Sequence, residues 1–107
     1  MADLPESIQR KLANLAADFT ASLEERFANI ESGMEALSSG TGNKEILENL
    51  HLNTHKLNGS SATFGHDRLS AGAAAMEKLL ADIIKSNKPP SETAFAELSR
   101  MFEDLRE

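Results

Sequence analysis

Within the stretch His51–Gly65, HLNTHKLNGSSATFG, one histidine has the setting that chemistry would need. Read at about 100° per residue, Ile46, Leu47, Leu50, Thr54, Leu57, Ser61 and Phe64 fall within one arc of roughly 100°, the stripe a bundle helix buries. His55 lies about 130° from the middle of that arc, on the flank facing water. Gly59 follows one turn later, where the missing side chain leaves room beside the imidazole. A helix interior disfavours Gly by about 1 kcal/mol relative to Ala, so its presence calls for a reason. Close approach of a partner or a phosphoryl group to His55 is one such reason.

Several chemistries can be weighed at this spot. His51 and His55 share a face at i, i+4, a spacing that can hold Zn²⁺, but the chain has no cysteine and no HExxH, and the only third ligand in view is His66 across a turn. The expectation is no metal. Ser60 and Ser61 point elsewhere on the helical wheel, and no acidic residue lies at i±3 or i±4 of His55, which speaks against hydrolysis. No Gly-rich loop with a P-loop lysine is present, so no nucleotide is expected. Phosphoryl transfer fits better. A neutral imidazole nitrogen is a good nucleophile near neutral pH and yields a phosphoramidate. In-line transfer needs access and donors for the phosphoryl oxygens. The exposed face and Gly59 supply access, and Asn58 and Lys56 are the candidate donors. No cofactor is expected on this chain, and Mg²⁺ would come with the partner. Ordinary explanations stand beside these. Exposed histidines are mostly just solvated, Gly59 could be a helix-packing contact, and Lys56, Arg68, Lys78 and Lys85 could be plain surface.

The elements that must position this site read as helices. The 107 residues are 40% hydrophobic, drawn from Leu, Ala, Ile, Met and Phe, with no Val, Trp, Tyr or Cys. That composition argues against a sheet and suits one domain spanning 1–107. The net charge of −6 speaks against nucleic acid or anionic lipid as main partner. No apolar run reaches membrane-spanning length, and the N-terminus lacks the order of a signal peptide, so the expected location is the cytoplasm.

Pro5 suits a first helical turn, and Ile8, Leu12, Leu15, Phe19, Leu23, Phe27, Ile30, Met34 and Leu37 then step by three or four. This stripe reads as one bent helix or as a short N-terminal helix meeting a longer one near Asp18–Thr20. Ser38–Asn43 reads as a loop, with Asn43 as N-cap of the next helix. Gly65 suits a left-handed helix end, and the short Gly65–Asp67 connection implies an antiparallel neighbour. The third helix presents Leu69, Ala73, Met76, Leu80 and Ile83, and its small residues Ala71–Ala75 are expected to pack tightly against the His55 helix. Asn87–Pro90 ends it, and Ser91 caps a last helix burying Phe95, Leu98, Phe102 and Leu105. The expected fold is all-α, an antiparallel up-down-up-down four-helix bundle with helices about 5–38, 44–64, 67–86 and 92–106.

The run His55-Lys56-Leu57-Asn58-Gly59-Ser60-Ser61-Ala62-Thr63-Phe64-Gly65, with Leu69 and Met76-Glu77 after it, resembles the motif of the histidine-containing phosphotransfer (HPt) domain, roughly H-x-L-K-G-S-[SA]-x-x-[LF]-G, then Leu, then Leu-Glu. The likeness extends loosely over Phe19 to Leu105. It implies a monomeric bundle that shuttles phosphoryl groups between receiver-domain aspartates, served by a hybrid histidine kinase. It further implies His55 as the phosphorylated residue, Gly59 as the clearing glycine, Leu52 and Ala62 as flanks of the receiver-docking face, and Glu77 as a polar neighbour of the imidazole. Such a carrier is not an enzyme, being modified stoichiometrically. The departure is Asn58, where the family commonly has Lys; here Lys56 stands one residue after the histidine. The alternative is a bundle of the same fold that docks a kinase or receiver without transferring. A histidine-kinase dimerisation domain does not fit, since its histidine is typically followed by an acidic residue and a Pro.

Overall fold

The computed structural model describes residues 5–41 and 44–106, the side chains of Gly40 and Thr41 excepted. The chain runs as α1 (Glu6–Ala36), a π-helical turn (Leu37–Thr41), α2 (Lys44–Thr63), α3 (Asp67–Ser86) and α4 (Glu92–Arg106). No strand occurs among the described residues, and no described helix is long and apolar enough to cross a membrane. The helices form the expected up-down-up-down bundle. Its centre is built from Ile30 of α1, Leu50 and Leu57 of α2, Met76 and Leu80 of α3 and Leu98 of α4, all with 1% exposure or less. Burying each such side chain is worth about 1.5–3 kcal/mol.

Chain punctuation explains the ends. Gly65 adopts φ +77°, the His66 amide donates to the Ser61 carbonyl at 2.8 Å, and the Gly65 amide to that of Ala62 at 3.2 Å. These two bonds are a Schellman motif, which stops α2 and turns the chain back as α3. Asn87 takes φ +56° at the end of α3, ahead of Pro89 and Pro90. Ser91 accepts the Ala94 amide at 3.1 Å through its hydroxyl and starts α4.

Of the two readings of α1 one holds, and three expectations need correction. The apolar stripe of α1 belongs to one uninterrupted helix of 31 residues, so no separate N-terminal helix forms. Nor does the whole stripe enter the core: burial begins at Phe19, whose ring stacks on Phe64 with centroids 5.2 Å apart, while Ile8, Leu12 and Leu15 stand in solvent. The reason is length, because α2 ends at the level of Phe19 and nothing lies beyond it for the earlier turns to pack against. Ser38–Thr41, the first four residues of the expected loop, are instead helical. Ser38 and Ser39 direct their hydroxyls back to the carbonyls of Glu35 and Ala36, prolonging the helix as a π turn. Gly42 and Asn43, with the N-cap role expected of Asn43, lie outside the described residues. Finally, the small-residue run of α3 is only partly a packing surface. Ala73 is fully buried and Gly72 meets Leu105 of α4, but Ala71, Ala74 and Ala75 face outward.

The α1–α2 crossing is close because Gly33 makes it so. A Cβ there would sit 2.6 Å from Leu50 Cδ2, and one on Gly72 would sit 2.7 Å from Leu105 Cδ2. Both glycines are notches that receive a leucine from the neighbouring helix. Across the remaining face, Phe27 meets Phe102 edge-on at 6.2 Å, and Arg106 reaches from α4 to Glu31 of α1 at 2.6 Å, closing the bundle.

Candidate functional site

The site is built on two antiparallel helices that share the largest packing surface in the bundle. On α2, Leu47, Leu50, Thr54, Leu57 and Ser61 are buried, which turns the opposite face to water. Thr54 fits this apolar stripe because its hydroxyl donates to its own helix, to the Leu50 carbonyl at 2.6 Å. With that face fixed inward, Leu52, His55, Gly59 and Ala62 come out together on the exposed side at spacings of three and four. Leu52 is 48% exposed, an unusual position for a large aliphatic side chain, and the His55 side chain is 64% exposed. The histidine therefore stands in the open rather than in a cleft.

Gly59 differs in kind from the other two helical glycines. Where Gly33 and Gly72 each receive a leucine, a Cβ on Gly59 would meet nothing within 4 Å. No contact among the described residues requires a glycine there. The packing explanation is thereby removed, and the open space beside His55 remains.

α3 contributes what α2 lacks. Glu77, only 21% exposed in its side chain, places Oε2 2.8 Å from His55 Nδ1. A carboxylate accepts and does not donate, so Nδ1 carries the hydrogen. In the neutral ring the lone pair then lies on Nε2. The same carboxylate oxygen lies 3.9 Å from His51 Nε2, one turn before His55. Glu77 is thus held at the α2–α3 margin with an imidazole on either side. The absence of an acidic residue at i±3 or i±4 on α2 is made good across the helix pair, at a separation of 22 residues.

Asn58 is also tied to α3. Ser70 donates its hydroxyl to Asn58 Oδ1 at 2.7 Å and approaches the Asn58 carbonyl at 3.4 Å. The amide oxygen is engaged, which leaves the NH₂ end of the same group as its free donor. Ser70 was not singled out from the sequence. The signal was the turn itself, since reflecting α2 about Gly65–His66 brings the first turn of α3 against the last two turns of α2. Lys56 is exposed, about 100° around the helix from His55. His66 is drawn away to the end of the bundle, where its ring lies 5.2 Å from that of Phe19, and it does not join His51 and His55. Among the described residues no group of three or more His, Cys, Asp and Glu could hold a metal.

An exposed imidazole with its Nδ1 fixed, its Nε2 free, a neighbouring amide donor and cleared space one turn away can act as a nucleophile toward a group delivered by a partner. Comparison with curated proteins and with solved structures finds no match. The Hpt domain family model, in contrast, matches residues 14–107, which takes in α2, α3, α4 and all but the first turns of α1. By that match the chain belongs to the Hpt domain family, the phosphocarriers of histidine phosphotransfer that work with receiver domains and histidine kinases in phosphorelays.

Proposed function

We propose that this protein accepts a phosphoryl group on Nε2 of His55 from a receiver-domain aspartate and passes it to the aspartate of a second receiver. The observation that carries this reading is the empty space at Gly59 beside an exposed, oriented histidine. In the first step the Nε2 lone pair attacks phosphorus, the acyl-phosphate P–O bond breaks, and the receiver's aspartate leaves as a carboxylate. Positive charge develops on the ring as the N–P bond forms, and Glu77 at Nδ1 offsets it. The second step is the reverse, with the next aspartate as nucleophile. Mg²⁺ comes with the receiver, and Leu52 and Ala62 bracket the histidine as an apolar landing strip for it. The upstream donor is a hybrid histidine kinase, the setting is the cytoplasm, and the protein is a stoichiometric carrier.

Three outcomes test this. Incubation with a phosphorylated receiver should move label onto the protein in an acid-labile, alkali-stable form, and His55→Gln should abolish it. If His55→Gln binds receivers normally and no receiver labels the wild type, the chain is a docking adaptor. Gly59→Ala separates site from scaffold. With nothing within 4 Å of the new methyl, chemical denaturation should show about 0.5–1 kcal/mol of added stability. Receiver-to-His55 transfer should meanwhile slow by about tenfold or more, because a small misplacement of reacting atoms is costly. Equal transfer rates would leave Gly59 without a role. In Asn58→Ala, loss of one hydrogen bond to a phosphoryl oxygen should shorten the phospho-His55 lifetime by about 2- to 10-fold. Ser70→Ala should shift it in the same direction by less. An unchanged lifetime and transfer rate in Asn58→Ala would remove Asn58 from the site.

A further inference from the structure

The first turns of α1 have no task in the phosphotransfer site, yet they carry Ile8, Leu12 and Leu15, 43%, 48% and 53% exposed. With Leu52 beside His55, these are the large hydrophobic side chains that stand out in solvent among the described residues. They step by four and three, and Phe19 continues the series by four, which is the spacing of a coiled-coil seam. At Phe19 the seam passes under the Phe64 and His66 rings into the core. Before it, Glu6–Asp18 runs on as helix for about 20 Å past the end of α2. The molecule is accordingly elongated, with extents of 52 × 23 × 22 Å.

We propose that this overhang is a homodimerisation surface, in which the α1 overhangs of two copies pack antiparallel along the Ile8–Leu12–Leu15 seam. The charge pattern selects both partner and direction. Lys11 and Asp18 lie on the same edge of the seam, each one residue before a seam position, and Gln9 and Ala16 line the other edge. An antiparallel pair stacks Leu12 against Leu15 of the second copy and brings Ile8 to the bundle end of the second copy, beside the Phe64 and His66 rings that cover its Phe19. It then brings Lys11 of each chain beside Asp18 of the other, twice by symmetry. A parallel pair would set Lys11 opposite the uncharged Ala16 edge instead. A lipid surface fits less well. The overhang holds Glu6, Arg10, Lys11 and Asp18, two charges of each sign, on a chain of net charge −6, which gives an anionic membrane nothing to attract.

The contact is small. Two short overhangs and the bundle ends they touch lie at the lower limit of specific interfaces, so the dimer forms at micromolar or higher concentration. Its arrangement spares the site. Phe19 opposite Phe64 and Gly33 opposite Leu50 set the α1–α2 register, and His55 falls level with Ala28 of α1, about 15 Å beyond the end of the overhang at Asp18. The dimer departs from the monomer implied by the family resemblance, and its origin lies in turns of α1 that the family match largely omits.

Sedimentation equilibrium of the full chain over micromolar to submillimolar concentrations tests the assignment. The mass should rise from that of the 11.6 kDa monomer to twice it. Leu12→Asp with Leu15→Asp should stay monomeric while keeping the wild-type helical circular dichroism, since both positions are exposed in the monomer. Lys11→Asp should weaken the dimer severalfold, and adding Asp18→Lys should restore it. A wild-type chain that remains monomeric throughout, including one whose stripe binds neutral vesicles instead, overturns the proposal. So does a dimer that survives the Leu12→Asp, Leu15→Asp pair. Failure of the charge exchange to restore association overturns the antiparallel register.

Discussion

The antiparallel seam between α2 and α3 is the constraint on which the rest of the structure depends. Its turn is closed by two backbone bonds around Gly65 in the left-handed conformation, so the register of the two helices is set locally. From that register follows the pairing of His55 with Glu77 and of Asn58 with Ser70. A slip of one residue would rotate Glu77 by about 100° and leave the imidazole without its partner. Leu57, Ala73, Met76 and Leu80, all wholly buried, hold the register from the apolar side, and the two polar pairs mark it at the rim.

This division of labour explains how a reactive group can stand in solvent and still be well placed. The histidine side chain is mostly exposed, yet its ring is oriented by a carboxylate anchored on the adjacent helix. Orientation of the imidazole therefore costs no burial, and exposure costs no loss of order. The glycines show the same economy of placement. Two admit neighbouring leucines and bring helices close, whereas the third leaves a gap that only something outside the protein could fill. In the α-helices a residue with an intrinsic cost is used for internal packing at Gly33 and Gly72, and at Gly59 it leaves open space.

Much of this was legible in the chain, and the remainder fails for physical reasons. The ends of α2 and α3 and the start of α4 follow from Gly65, from Asn87 before two prolines and from the Ser91 cap, signals that act over one turn and need no tertiary context. The outward position of His55 follows from the apolar stripe of α2. The stripe of α1 misleads from Ile8 to Leu15, because periodicity reports the face of a helix and not whether another element is long enough to cover it. Ser38–Thr41 reads as loop by composition, yet serine hydroxyls that bond back to the preceding turn prolong the helix. The Glu77–His55 pair is non-local and was approached through the family resemblance, while Ser70 went unnoticed because its role exists only once the α2–α3 register is known.

We propose that Glu77 holds Nδ1 of His55 and so leaves Nε2 as the atom that takes the phosphoryl group. The most direct measurement is the ¹⁵N–¹H long-range correlation spectrum of the His55 ring before and after phosphorylation by a receiver. The expected result is the Nδ1–H tautomer in the free protein, phosphorus coupling at Nε2 in the phosphorylated one, and loss of the tautomer preference in Glu77→Ala. Phosphorus bound to Nδ1, or a free ring protonated at Nε2, would contradict it.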